Sequence, residues 1–407
     1  MLAIYLAPFY ILACIYTGRW LVLWLGACHD IFKRKVCRGA VILVFGLLAL
    51  SIPIGFFAGP WGIGRFINQA ANIWFGVFAY IILVLLGADL IRIIIRRIKG
   101  EGRGLVKRRE ALARGGFLCL CVILLISIYG VVNAKIIRVT PYSVVIHKDG
   151  GSLDKLKIVL VADLHLGYNI GCAQMEQMVE KINGQDPDLV VIAGDIFDNN
   201  FDALDDPRRL TEILNRIRST YGVYACYGNH DVAEPILAGF TFASDKKKQS
   251  DPRMDEFLKD SGITLLQDEG VLIGDSFYLF GRADKERPGR GIRERMTPQE
   301  ITQNIDKDKP VIVIDHEPRE LEELAGAGVD LDLAGHTHDG QMFPANILMK
   351  FLWENPCGYL QKEQMHSIVT SGVGLFGPNM RVGTRSEICT ITVEFHPEQS
   401  EDLASTD

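Results

Sequence analysis

Four stretches of the chain, residues 2–25, 40–59, 71–90 and 116–132, are apolar for about the 20 residues a helix needs to cross a bilayer core. Packed into the first 135 residues with no polar face between them, they read as transmembrane helices rather than a buried soluble bundle. Arg19 lies inside the first stretch, near enough to its end to snorkel. The start Met-Leu-Ala-Ile-Tyr lacks the basic lead of a signal peptide, and the stretch is too long for one. From about Ile136 the pattern changes to short apolar runs at 158–162, 189–193, 223–226, 311–314 and 331–334. Between them Met175, Met178, Val179 and Ile182, then Leu210, Ile213, Leu214 and Ile217, recur at helical spacing, which predicts an α/β layered domain. Segments 271–282 and 387–395 read as antiparallel strands; in the second, Cys389, Ile391, Val393 and Phe395 alternate with polar residues. The predicted organisation is therefore a four-helix transmembrane anchor (1–135), a linker with a first strand (136–155), an α/β domain (156–396) and a polar tail (397–407).

Charge divides the chain at the same place. The first 135 residues hold 16 Lys+Arg against 4 Asp+Glu, and the remainder 27 against 45. An acidic domain repels phosphate backbones, so a general nucleic-acid binder is excluded. Lys33, Arg34, Lys35 and Arg38 fill the first interhelical loop. Arg92, Arg96, Arg97, Lys99, Arg103, Lys107, Arg108, Arg109 and Arg114 fill the third, and the second has only Arg65. The positive-inside bias then places the first and third loops in the cytoplasm, and both termini with the acidic domain on the outer face of the cell membrane. Only Arg19 and Asp89 are ionisable within or at the edge of the apolar stretches, too few for an ion relay, so the helices read as an anchor and not a transport path. Of the nine cysteines, five lie in the first half, and Cys172, Cys226, Cys357 and Cys389 in the second show no paired spacing, so free thiols are expected rather than a disulfide framework. Lys246–Lys248 reads as a solvated charge run.

The chemistry sits at the ends of the five strand-like runs. Asp163-Leu164-His165 follows the first, Gly194-Asp195 the second and Gly228-Asn229-His230-Asp231 the third; Asp315-His316-Glu317 follows the fourth and Gly335-His336-Thr337-His338 the fifth. Ligands of open α/β sheets collect outside the carboxyl ends of strands, so one crevice receives all five. Carboxylates and imidazoles crowded there call for a cation. Mixed nitrogen and oxygen donors without thiolate point to Mn, Fe, Zn or Co. Asp195 has two oxygens and is placed to bridge two ions.

In this order the motifs resemble the signature of the calcineurin-like metallophosphoesterases, over about residues 156–393. The stretches 314–318 and 335–341 are similar to the YkuE-like membrane-anchored branch, which often has Gly where Asp339 stands here. The resemblance implies two mixed β-sheets sandwiched by helices. It implies that Asp163, His165, Asp195 and His338 hold one metal and Asp195, Asn229, His316 and His336 a second. It gives His230 a catalytic role at the phosphoryl or leaving oxygen, with Asp231 orienting its ring, and attack on phosphorus by a metal-bridging hydroxide. The implied partners are a phosphate-ester substrate, mono- or diester, with lipid-linked phosphates among the candidates, and membrane lipids; no protein partner is predicted. The rival readings are a UDP-2,3-diacylglucosamine-type pyrophosphatase and a non-catalytic metal-stabilised membrane receptor or scaffold.

Three further features stand beside these motifs. Segment 372–381 is glycine-rich, and is either a plain turn or a backbone approach to phosphate with Arg381 gripping an oxygen. Ile347, Leu348, Phe351, Leu352 and Trp353 form an apolar patch, either core or, given the anchor, a face on the bilayer or a groove for acyl chains. Asp315 and Glu317 are expected in turn or surface roles, and His29, His147, His366 and His396 on the surface or as satisfied core residues.

Overall fold

The computed structural model describes residues 2–99, 105–233, 236–237, 240–241 and 249–397. Arg103, Lys246–Lys248 and all but the first residue of the predicted tail lie outside these. The described chain divides into two compact units.

The first unit is built on α1 (Leu2–Cys28), α2 (Lys35–Phe57), α3 (Ile63–Lys99) and α4 (Leu105–Ala134), each long and apolar enough to cross a membrane. In lipid a helix is one of the few ways to satisfy every backbone group within the segment. At 37 residues, α3 runs well beyond the predicted 71–90, because isoleucines continue between Arg92, Arg96 and Arg97 and nothing breaks the helix before Lys99. The polar side chains of the bundle find partners. Asp89 accepts from Tyr16 Oη at 2.9 Å and pairs with Arg92 at 3.1 Å, and Trp24 Nε1 donates to the Ala113 carbonyl at 3.2 Å. Segment 376–382 groups with these helices: Arg381 N donates to the Gly130 carbonyl at 3.0 Å, and Asn133 Nδ2 to the Arg381 carbonyl at 3.1 Å.

The second unit is an α/β domain of two six-stranded mixed sheets. The first sheet runs β1 (Ile137–Ile146), β14 (Ser386–Phe395), β2 (Lys155–Val161), β3 (Leu189–Ala193), β4 (Val223–Cys226), β7 (Ile263–Leu265). The second runs β12 (Gly358–Lys362), β13 (Met365–Val369), β11 (Leu331–Ala334), β10 (Val311–Ile314), β9 (Phe277–Gly281), β8 (Glu269–Ile273). A two-stranded ribbon, β5 (Ile236–Leu237) with β6 (Phe240–Thr241), belongs to the helical unit. The segment at 271–282 is the β8–β9 antiparallel hairpin. The last strand is antiparallel to β2, as its alternation predicts, and parallel to β1 on its other edge.

One core fills the space between the sheets. Ile158, Leu160 and Val191 of the first sheet meet Ile312, Ile314 and Leu333 of the second, all fully buried, with Ile391 and Val393 of β14 completing it. Helices α5 (Cys172–Asn183), α6 (Pro207–Leu214) and α7 (Pro252–Asp260) attend the first sheet. Helices α8 (Pro298–Thr302) and α9 (Leu321–Ala327) cover the outer face of the second, where Ile301, Leu321 and Leu324 pack on Val311 and Val313. Local sequence starts these helices cleanly: Asp206 caps α6 ahead of Pro207, and Thr297 with Glu300 closes a capping box on α8. The last helix, α10 (Ala345–Leu352), buries none of its residues.

Candidate metal centre

All five strand-end motifs meet in one place. Each strand stops where its apolar run stops, and within a few residues of β2, β3 and β11 the backbone turns sharply: Asp163, His165, Asp195, His336 and His338 all have φ between 46 and 71°. The left-handed region costs a non-glycine residue on the order of 1–2 kcal/mol, so five such residues at one site mark a geometry the surrounding fold imposes. Glycines make room for it. At Gly194 (φ 75°) a Cβ would stand 2.6 Å from the His316 ring, and at Gly372 (φ 80°) 2.7 Å from Asp163 Cβ. The glycine-rich segment thus serves here as a turn against Asp163, with Gly374 N donating to the Asp163 carbonyl at 2.7 Å.

Three groups of donor atoms result, two of them built from the motif residues and a third from His165, Asp198 and His230. In the first, Asp163, His165 and His338 offer atoms within 4.8 Å of one another, with the His165 and His338 Nε2 atoms 3.0 Å apart. In the second, Asp195, His316 and His336 do the same. There Asn229 Oδ1 lies 3.0 Å from both His316 Nε2 and His336 Nδ1, which are 3.1 Å from each other. His316 Nδ1 donates to the Ala193 carbonyl at 2.9 Å, which leaves Nε2 with its lone pair facing Asn229. Lone pairs this close repel unless a proton or a cation stands among them. Donors bonded to a cation at about 2.0–2.2 Å stand about 3 Å apart, so the seven side chains fit divalent metal. Asp195 Oδ2 reaches both clusters, 3.2 Å from His316 Nε2 and 3.7 Å from His165 Nε2.

The charges pull in opposite directions. Burial opposes ionisation of Asp195, but His316, His230 and His165 hold it well below the usual carboxylate range. Burial opposes charging of His316 too, and Asp195 outweighs it, lifting that imidazole well above its ordinary value. His165 is raised against its burial by Asp198 and Asp195, whereas burial and the neighbouring His316 push His336 down. Without a cation, His165 and His316 therefore keep a proton to higher pH than an ordinary imidazole does, and metal must displace it. Apparent affinity for Mn²⁺ is expected to rise with pH, with proton release seen when the ion is titrated calorimetrically at about pH 6 and about pH 8. A pH-independent affinity without proton release would contradict this donor set.

The family model described as calcineurin-like phosphoesterase matches residues 156–340, from β2 to just past His336 and His338. The chain carries a calcineurin-like phosphoesterase domain. A zebrafish (Danio rerio) protein named as a transmembrane protein with metallophosphoesterase domain is 30% identical over 304 residues, covering 70% of this chain and 65% of the relative. The chain thus spans somewhat under two thirds of that relative's length. An uncharacterized metallophosphoesterase of Aquifex aeolicus is 27% identical, covering 67% of this chain and 98% of its own. The UDP-2,3-diacylglucosamine pyrophosphatase LpxG of Chlamydia trachomatis is 24% identical, covering 51% of this chain and 71% of its own. With four helices long and apolar enough to cross a membrane and a relative named as transmembrane, this is a membrane protein carrying a phosphoesterase domain.

Two expectations about the domain's acidic residues need correction. Asp231 does not orient the His230 ring. Its carboxylate accepts from Phe197 N at 2.8 Å and Gly228 N at 2.7 Å, so it ties the loops after β3 and β4 together beneath the site. Burial, reinforced by Asp195, pushes its pKa up to about 7. The partner of His230 Nδ1 is Asn199 Oδ1, whose amide is fixed in turn by Nδ2 donating to the Val232 carbonyl at 3.0 Å. Nor are Asp315 and Glu317 at the surface; both are buried. Asp315 binds Arg282 Nη1 at 2.8 Å and Arg295 Nη1 at 3.1 Å, and Glu317 binds Arg319 at 2.6 Å. For Asp315 the reason is remote: Arg282 and Arg295 come from the chain between β9 and α8 and need an internal counter-charge.

Sequence reasoning missed Asp198 and Asn199. Asp198 Oδ1 lies 3.6 Å from His165 Nδ1 and 3.8 Å from His230 Nδ1, joining the two rings by edges that face away from the first cluster. Their signal was present in the sequence, three and four residues past Asp195 on the same loop. Arg381 is fully buried and groups with the helical unit. His366 is a satisfied core residue, its Nε2 donating to the Val145 carbonyl at 2.8 Å, and His29 caps a turn after α1.

Proposed function

We propose that the protein is a membrane-anchored phosphohydrolase that uses two divalent ions to cleave phosphomonoesters or diesters borne on lipids or lipid-linked carriers at the outer face of the membrane. The observation that carries this reading is Asp195 lying within reach of two separate imidazole clusters. When bound, the ions supply charge neutralisation at phosphorus and an acidified water for in-line attack. Asp163, His165, Asp195 and His338 would hold one, and Asp195, Asn229, His316 and His336 the other.

His230 acts beside them. With Asn199 Oδ1 accepting from Nδ1, the basic nitrogen of the neutral ring is Nε2, the one that would exchange a proton with substrate. Burial lowers its pKa to about 4, so the ring is neutral before substrate arrives. A bound phosphate dianion raises that value by charge, letting Nε2 take a proton and hand it to the leaving oxygen. Asn199 is thereby a positioning residue that keeps the second proton on Nδ1.

The test is hydrolysis by metal-reconstituted protein of an aryl monoester, an aryl diester, phosphatidate in vesicles and UDP-diacylglucosamine. His230→Ala is expected to lower kcat by about 100-fold or more while metal stays bound. Metal loss in that variant would mean that His230 is itself a ligand. The likeness to LpxG keeps the pyrophosphatase reading as the alternative, and turnover of UDP-diacylglucosamine alone would establish it. A reporter fused after Asp407 tests the side: signal only from the cytosol overturns the outward placement.

A further inference from the structure

Helix α10 follows the loop that carries His336 and His338, and the turn His338–Gly340 packs on it. Every other helix of eight or more residues in the phosphoesterase domain turns its apolar side inward; α5, for example, buries Met175, Met178, Val179 and Ile182. In α10 the pattern is reversed. Ile347, Leu348, Phe351 and Leu352, spaced along one face, are 46, 57, 82 and 70% exposed, and Phe343 just before the helix is also exposed. Lys350 stands exposed among them. At the end of the helix the Trp353 ring packs edge-on against the ring of His336 at 5.1 Å, with the Arg319 guanidinium 4.5 Å over its other surface. An apolar face that large on a soluble domain marks a contact.

We infer that α10 is an interfacial helix that seats in the bilayer and delivers membrane-borne phosphoesters to the metal centre. The occupant follows from the chain itself. It crosses a membrane, and only residues 135 and 136 separate α4 from β1, so a bilayer surface is within reach of the domain. Bulky apolar side chains on one face with a lysine at the flank are the pattern of helices lying in the headgroup region. Trp353 joins that face to His336, so a lipid headgroup rising past Phe351 meets the ligand cluster directly. The substrate class this implies is an amphiphile whose phosphate lies at the headgroup level. A fully water-soluble ester has no use for the helix.

Two measurements on the full chain in phosphatidylcholine–phosphatidylglycerol vesicles test this. The first does not depend on activity. Benzoylphenylalanine placed at position 351 is expected to cross-link to lipid on irradiation, and at exposed position 323 on α9 it is not. Adducts to a second copy of the chain, or no lipid adduct at 351, overturn the inference. The second rests on the hydrolase reading. The pair Phe351→Ser and Leu352→Ser is expected to lower kcat/KM at least tenfold for phosphatidate in the vesicles, and to leave p-nitrophenyl phosphate turnover within twofold. Equal loss on both substrates, or loss on neither, overturns it. If the unsubstituted protein cleaves neither substrate while position 351 still labels lipid, the hydrolase reading fails and the bilayer contact stands.

Discussion

Asp195→Ala is expected to abolish hydrolysis, with a fall of at least about a thousandfold, equivalent to about 4 kcal/mol of activation free energy. Asp195 Oδ2 reaches both imidazole clusters, and the residue also does structural work through its other oxygen. That oxygen, Oδ1, accepts the His230 backbone N–H at 2.7 Å, so one carboxylate joins the two imidazole clusters and fixes the backbone of His230 together. The variant should bind fewer metal ions per chain by elemental analysis. Asp195→Asn separates the effects, since an amide keeps an oxygen for the His230 N–H but weakens the hold on cations. Catalysis that survives Asp195→Ala with metal content unchanged would remove the two-ion assignment.

A second large effect lies just behind the ligands. Arg282 and Arg295 are buried, and their guanidinium groups converge on Asp315 and on Glu320, each arginine meeting Glu320 at 2.7 Å. Lys285 adds a third contact to Glu320 at 2.7 Å, and the summed cations hold that carboxyl, against its partial burial, down to about 2. Asp315→Ala leaves two buried guanidiniums with one partly exposed counter-ion between them. Breaking a buried pair in this way costs about 3–5 kcal/mol. For a domain of this size the unfolding midpoint should fall by roughly 10 °C. Differential scanning of the detergent-solubilised chain checks this, and an unchanged midpoint would show that the cluster adds nothing. Since Asp315 immediately precedes His316, loosened metal binding is expected in the same variant.

These two residues also show where the sequence is legible. Asp195 was readable because a run of apolar residues ended at it, and strand ends in layered α/β domains converge. The same logic finds Asp163, Asn229, His316, His336 and His338, each one or a few residues past a strand. Asp315 carries the same local signal but a different duty, because its partners Arg282 and Arg295 lie 33 and 20 residues away. No spacing rule predicts that return. Asn199 and Asp231 fail for a similar reason: adjacency to His230 in the sequence favoured Asp231, but the loop turns its carboxylate to two peptide N–H groups and a neighbouring loop supplies the amide. For α10 the periodicity was plain but its direction was not, since an amphipathic pattern is the same whether the apolar face meets core or lipid.

The position of β14 bears on how the protein is made. It lies between β1 and β2, paired along ten residues to the one and along six to the other. The first strand of the domain leaves the ribosome directly behind α4, yet its sheet neighbour is synthesised some 240 residues later. Until that strand emerges, β1 waits with an open edge and the first sheet cannot close, a long-range pairing of the slow kind. The first sheet of the phosphoesterase domain therefore stays incomplete through the synthesis of everything between β1 and β14, and it closes only once β14 has emerged.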